Sequence, residues 1–271
     1  HPTIRESTIP DTRRGEAQPP VVTEFIEPTI NGPDFHEYRL VRQFPAAGGE
    51  ADIWLVLKDR EYFILKHYRL GIEPKSEVLQ KVSNISQSSP KNLVRILSYG
   101  YDEETKRWFE IQEYARNGSL KDLMNGHQIG RAQFRTIISE ISAALDVLHR
   151  NNILHLDLKP SNVLVRNINP LNLILIDFGI STLLDTELSR QITSTKGTPM
   201  YWAPEQLGNV VGKEADYWAL GVIALEITLE RHPFSGMNHN VILSTLSTRG
   251  ITVPDEIQPK TALLLKGLLT R

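Results

Sequence analysis

The sequence predicts an α+β chain, with a small antiparallel β lobe first and a larger, mainly helical lobe after it. Three observations carry this. Short apolar runs of strand-like composition stand at 63–66, 93–97 and 108–112. Phe134, Ile137, Ile138, Ile141, Leu145 and Leu148 then fall on one face of a long helix. Residues 215–229 are apolar nearly all round, as in a helix buried on every side.

Composition narrows the classes. The 271 residues carry a formal net charge of −2, and no apolar run is long enough to span a bilayer. With no cysteine, no disulfide can form. The charge pattern favours neither nucleic acid nor a membrane, and the eight histidines lack metal-ligand spacing. Residues 1–36 differ in texture: Pro2, Pro10, Pro19, Pro20, Pro28 and Pro33 stand among scattered charges, which reads as a flexible linker or tail.

The chemistry lies in two ordered motifs. His155-Leu156-Asp157-Leu158-Lys159-Pro160-Ser161-Asn162 comes first, and Asp177-Phe178-Gly179 follows an apolar run at 173–176. Phosphoryl transfer needs positioning and charge neutralisation more than covalent help from the protein. Asp157 can hold the nucleophilic hydroxyl, Lys159 can offset charge on the moving group, and Asn162 and Asp177 offer hard oxygens suited to Mg²⁺ or Mn²⁺. Either motif alone is weak evidence, whereas the ordered pair is strong. Together they resemble the catalytic segments of protein kinases.

The resemblance implies a two-lobed fold, with the small lobe over 37–113 and the large lobe over 114–271, and it gives the other elements their expected roles in order. Ala46-Ala47-Gly48-Gly49-Glu50-Ala51 matches the glycine-rich phosphate loop, with Ala46 and Ala51 in place of two motif glycines and Ile53 as a lid on the base. Lys66, closing the strand Phe63-Ile64-Leu65-Lys66, takes the place of the lysine that binds the ATP phosphates, and Ile64 adds bulk where the family carries alanine. The following helix should supply a glutamate to that lysine. Glu77 is the candidate, yet three, four and seven residues after it stand Gln80, Lys81 and Asn84; Lys75 fits inward spacing better, through Val78, Leu79 and Val82, and Glu73 is the other acid available. The hinge falls at 113–120, with adenine on the backbone of Glu113 and Ala115, Gln112 at the gatekeeper position, Ser119 at the ribose and Leu164 beneath the base.

In the large lobe, Asp216 is expected to cap the backbone of the His155 segment. Residues 196–205 resemble the GTxxYxAPE pattern of Ser/Thr kinases, with Thr198 bonding Asp157 and Lys159. Leu156 replaces the arginine of HRD, so phosphorylation at Ser189, Thr193, Ser194 or Thr195 is not expected to switch activity through that contact. This departure and the 48–52 stretch look more bacterial than eukaryotic. The chain ends at Arg271, before the arginine expected to pair with Glu205, so a truncated large lobe with a buried, unpaired Glu205 is expected.

By resemblance, then, the chain is an ATP- and metal-dependent cytoplasmic kinase acting on Ser or Thr of proteins. Thr3, Ser7, Thr8, Thr12 and Thr23 make the tail a candidate for autophosphorylation and for phosphopeptide-binding partners. The alternative is a pseudokinase serving as a nucleotide-binding scaffold, favoured by the loop alanines, Ile64 and the unclear helix glutamate.

Overall fold

The computed structural model describes residues 37–45, 49–88, 91–126, 128–178, 181–183, 191–192, 199–208 and 210–270. Its first half forms a five-stranded antiparallel sheet from β1 (Arg39–Gln43), β2 (Ala51–Lys58), β3 (Glu61–Tyr68), β4 (Ile96–Asp102) and β5 (Arg107–Glu113), in the order β1-β2-β3-β5-β4. Asp59 and Arg60 join β2 to β3 with φ of 48° and 68°, the two-residue left-handed turn whose twist matches that of the strands.

Register decides what each face of the sheet carries. Ile53 opposes Lys66, Ile64 opposes Gln112 and Lys66 opposes Glu110. With side chains alternating, Ile53, Ile64, Lys66, Tyr68, Glu110 and Gln112 therefore share one face. The other face carries the apolar cluster of Val56, Phe63, Leu65, Phe109 and Ile111, joined by Leu40.

The helix α1 (Ser76–Ser88) packs on β4 with Val78, Leu79, Val82 and Ile85 buried. The strand expected at 93–97 begins only at Ile96. Leu93 and Val94 are buried, but their backbone pairs elsewhere: Val94 N–H donates to Leu175 O at 3.0 Å, and Leu175 N–H donates to Asn92 O at 3.0 Å. Apolar content alone cannot tell a strand of the sheet from a segment that bonds a strand some 80 positions away.

The second half is built from α2 (Leu120–Gly126), α3 (Arg131–Arg150), β6 (Ile153–Leu154), β7 (Val163–Ile168), β8 (Leu171–Leu175), β9 (Thr182–Leu183), β10 (Gln191–Ile192), β11 (Val210–Val211), α4 (Lys213–Leu229), α5 (His239–Thr248) and α6 (Pro259–Leu268). The predicted stripe becomes the buried face of α3: Ile137, Ile141, Leu145 and Leu148 join the core, each such burial stabilising by about 1.5–3 kcal/mol. As its composition predicts, α4 is buried all round. At Gly221 an added Cβ would lie 2.8 Å from Leu268 Cβ, so glycine is what lets α4 and α6 approach. Among the described residues, no helix is long and apolar enough to cross a membrane.

Candidate active site

The loop after β6 carries the first motif, and α4 holds it in place. Asp216, 1% exposed, accepts the N–H of His155 at 2.9 Å and of Leu156 at 2.8 Å, and its Oδ2 lies 2.8 Å from His149 Nε2. Those bonds offset the cost of Leu156 sitting at φ 64°, a left-handed conformation that costs an L-residue about 1–2 kcal/mol. The Leu156 side chain joins the apolar cluster of Trp202, Ala203, Val211 and Trp218. A guanidinium there would be buried without water, a physical reason for leucine at this place.

Asp157 is the convergence point. Its Oδ2 accepts Lys159 Nζ at 2.7 Å and Asn162 Nδ2 at 2.9 Å, and Asn162 Nδ2 also donates to Asp157 O at 2.8 Å. Because the Asn162 amide nitrogen is spent on Asp157, its Oδ1 remains the acceptor available to a cation. His155 lies beneath, 0% exposed: Asp157 N–H donates to its Nδ1 at 3.3 Å, and its Nε2 lies 3.0 Å from Ile176 O. A ring carrying its proton on Nε2 satisfies both bonds.

Asp177 enters from the β8 side at φ 66° and meets Lys66 of β3, Nζ to Oδ1 at 2.5 Å. Burial pushes Asp177 up, but the Lys66 ammonium outweighs it and holds the carboxyl below its usual range. Burial likewise works against the Lys66 charge, yet Asp177, Tyr68 and Glu110 together keep it protonated above the usual lysine range. Phe178 packs beside the His155 ring, their centroids 5.4 Å apart. Two hard oxygens, from Asn162 and Asp177, fit a Mg²⁺-like ion that fills its remaining positions with phosphate and water.

The structure does not bring Glu77 to Lys66. Glu77 lies exposed in the first turn of α1, because the apolar 78-79-82-85 face turns inward and takes the helix phase with it. One turn before Val78 and Leu79 stands Lys75, whose carbonyl starts the helix by accepting Leu79 N–H at 3.1 Å. Its Nζ donates to Ser181 O at 2.9 Å. Ser181 is fully buried, and its hydroxyl donates to His155 O at 3.0 Å.

Around the expected adenine position, Ile53 and Ile64 are half-buried on the Lys66 face, Ala115 is buried, and Leu164 pairs by an isolated bridge with Ser119. The buried side chain of Gln112 turns to Glu110, donating to its Oε1. Ser119 is committed as the cap of α2: its N–H and hydroxyl donate to Asp122 Oδ2 at 2.8 and 2.6 Å, and its Oγ accepts Asp122 N–H at 3.2 Å. Gly49 faces open space. Ala46, Gly48, Thr198 and the four candidate phosphorylation sites lie outside the described residues. Glu205 proves half-buried rather than buried, and it is not without interactions.

Sequence reasoning passed over Glu110, Tyr68 and Arg166. Glu110 is 1% exposed, accepts the Tyr68 hydroxyl at 3.1 Å and lies opposite Lys66. The signal was an acid two residues from Gln112, on the same face of the strand by period-two counting. Arg166 of β7 donates from Nε to Glu113 Oε2 at 3.0 Å and from Nη2 to Oε1 at 2.5 Å. It also reaches Lys91 O at 3.0 Å and Leu93 O at 3.2 Å.

Comparison with known proteins agrees with this geometry. The protein kinase domain family matches residues 48–271. The chain is 29% identical over 218 residues to the serine/threonine-protein kinase stk11 homolog of Dictyostelium discoideum, covering 76% of this chain and 36% of the relative. It is 29% identical over 208 residues to the serine/threonine-protein kinase PrkC of Bacillus subtilis, covering 73% and 31%. To the Aurora kinase of Eremothecium gossypii it is 28% identical over 215 residues, covering 77% and 53%. The chain thus spans from about a third to about half the length of these relatives. With a family match across both halves of the fold, Lys66 paired with Asp177, and Lys159 and Asn162 both meeting Asp157, the chain belongs to the protein kinase family.

Proposed function

We propose that this chain transfers the γ-phosphate of ATP to Ser or Thr hydroxyls of proteins, its own tail included, with Mg²⁺ or Mn²⁺. The carrying observation is the convergence on Asp157 Oδ2, where Lys159 and Asn162 meet one carboxylate. Asp157 receives the proton as the hydroxyl oxygen bonds to phosphorus and the bridging bond to ADP breaks. Lys159, already beside that carboxylate, offsets negative charge on the transferring oxygens. Asn162 Oδ1 and Asp177 would hold the cation, which supplies positive charge to the phosphates. Lys66 would leave Asp177 for the phosphates, as their pairing at 2.5 Å puts it within reach of the same cleft. The adenine would lie on the backbone of Glu113 and Ala115, between Ile53 and Ile64 above and Leu164 below.

The Ser/Thr reading rests on Lys159 and on the names of the relatives. The proline-rich residues 1–36 are the proposed site of autophosphorylation and of phosphopeptide-binding partners, on composition alone. A cytoplasmic setting suits a chain without cysteine.

A nucleotide-binding scaffold is the second reading, favoured by the exposed Glu77. Incubation with γ-labelled ATP and Mg²⁺, alone and with a generic basic protein, separates the two. Label should appear on the chain and the added protein, vanish in Asp157→Asn and Lys66→Met, and yield phosphoserine or phosphothreonine. Nucleotide binding with no transfer would establish the scaffold instead.

A further inference from the structure

By spacing from Val78, Leu79 and Val82, the position expected to carry the acid holds Lys75, just ahead of α1, while an acid the family pattern does not call for lies buried beside Lys66. Glu110 and Lys66 are register partners on adjacent strands, with their side chains on the same face. Between them stands Tyr68: the Lys66 ammonium lies 5.0 Å above its ring, and its hydroxyl donates to Glu110 Oε2. Gln112 Nε2 donates to the other carboxylate oxygen, so the Glu110 head is fixed at both oxygens. A carboxyl 1% exposed is costly as an anion unless a cation shares its surroundings: burial raises Glu110 above the usual carboxylate range, and the Lys66 charge is the foremost influence pulling it back down. The helix cation has its own task, since Lys75 joins α1 to Ser181, which in turn holds His155 O.

We propose that Glu110 of β5 is the residue that positions Lys66 for the ATP phosphates, in place of a glutamate on α1. Lys75 instead fastens α1 to the segment behind Asp177-Phe178. Glu110 is thus a positioning residue, acting through Lys66 and Tyr68. Because β3 and β5 are hydrogen-bonded neighbours in one sheet, the Lys66 environment is built within the sheet and does not depend on α1 swinging inward. The inference rests on the kinase reading above for the role of Lys66 itself.

The test compares Glu110→Gln, Glu110→Asp, Tyr68→Phe and Glu77→Gln in the full chain, by steady-state kinetics with ATP and by binding of a fluorescent ATP analogue. Glu110→Gln keeps the shape but only one acceptor oxygen, so it can accept from Tyr68 or from Gln112 while its amide nitrogen faces the oxygen of the other. It should raise the KM for ATP and lower kcat/KM by about tenfold or more, and weaken analogue binding in parallel. The aspartate variant should recover part of the loss, and Tyr68→Phe should move in the same direction by a smaller factor. Glu77→Gln should change kcat/KM by less than about twofold. Adding Lys75→Glu to Glu110→Gln, which returns an acid to the helix, should restore analogue binding. Wild-type kinetics and binding in Glu110→Gln, or an equal loss in Glu77→Gln, would overturn the proposal. If the wild type transfers no phosphate the kinase reading fails, and the binding series still decides whether Glu110 governs Lys66. Should Glu110→Gln fail to fold, Tyr68→Phe decides: unchanged binding there rejects the proposal.

Discussion

His67 shows how a single residue is set by what surrounds it. It is 4% exposed at the end of β3, and burial, helped by the Arg107 charge, pushes its imidazole down to about 4 against opposing pulls from Asp102 and Asp52. Its ring bonds Thr105 at 3.2 Å, and Arg107 reaches its carbonyl at 2.9 Å. A folded pKa below the unfolded one makes the folded chain the weaker proton binder. The contribution is therefore present above about pH 6.5 and is lost as pH falls toward about 4. Urea unfolding of His67→Gln should accordingly show a shallower acid loss of stability than the wild type across that window. Parallel curves would contradict the assignment. Leu156 makes the complementary point, for its apolar neighbours suit it and would penalise the arginine the family pattern places there.

At the scale of elements, close approach is specified as sharply as charge. Gly221 lets α4 meet α6, and a methyl there would press on Leu268 Cβ at 2.8 Å and Leu269 Cδ2 at 2.9 Å. Gly221→Ala should cost about 1–3 kcal/mol despite the better helix propensity of alanine, read as a lowered thermal midpoint. Elements with strong periodicity were legible in the sequence: α3 and α4 fall where their apolar patterns put them, and β3 and β5 around Lys66 and Gln112. The phase of α1 was half legible, since Val78, Leu79 and Val82 pointed to Lys75 while the search for an acid pointed to Glu77. Glu110 was only partly legible: period-two counting from Gln112 puts it on the same face, but one of three charged residues in a seven-residue strand reads as solvent-facing until its partner strands are known. The capping role of Ser119 was not legible either: its hydroxyl serves α2, and that capping box is spaced like any loop serine and aspartate.

For the whole molecule, the order of motifs along the chain anticipated the meeting of Asp157, Lys159 and Asn162, and it anticipated Asp177, 20 positions beyond Asp157, near enough for the Lys159 charge to act on it. The connection between the two halves was hidden, because it depends on Arg166, a β7 arginine with no motif of its own. Its fork grips Glu113 while its remaining N–H groups hold carbonyls at 91 and 93. Arg166→Ala should lower stability by about 1–2 kcal/mol, discounted for the pair's partial exposure, and raise the KM for ATP more than it lowers kcat. Thermal unfolding beside kinetics checks both, and an unchanged KM would separate the clamp from nucleotide binding. That clamp also ties the two halves together beside the expected base. Glu113 ends β5, where it is paired with Phe63, and its side chain is bolted to β7, so the stretch expected to cradle the base is anchored to both halves. A tilt of the sheet about that anchor would leave the base on its floor while the phosphates lose their roof, and release would begin from the triphosphate end.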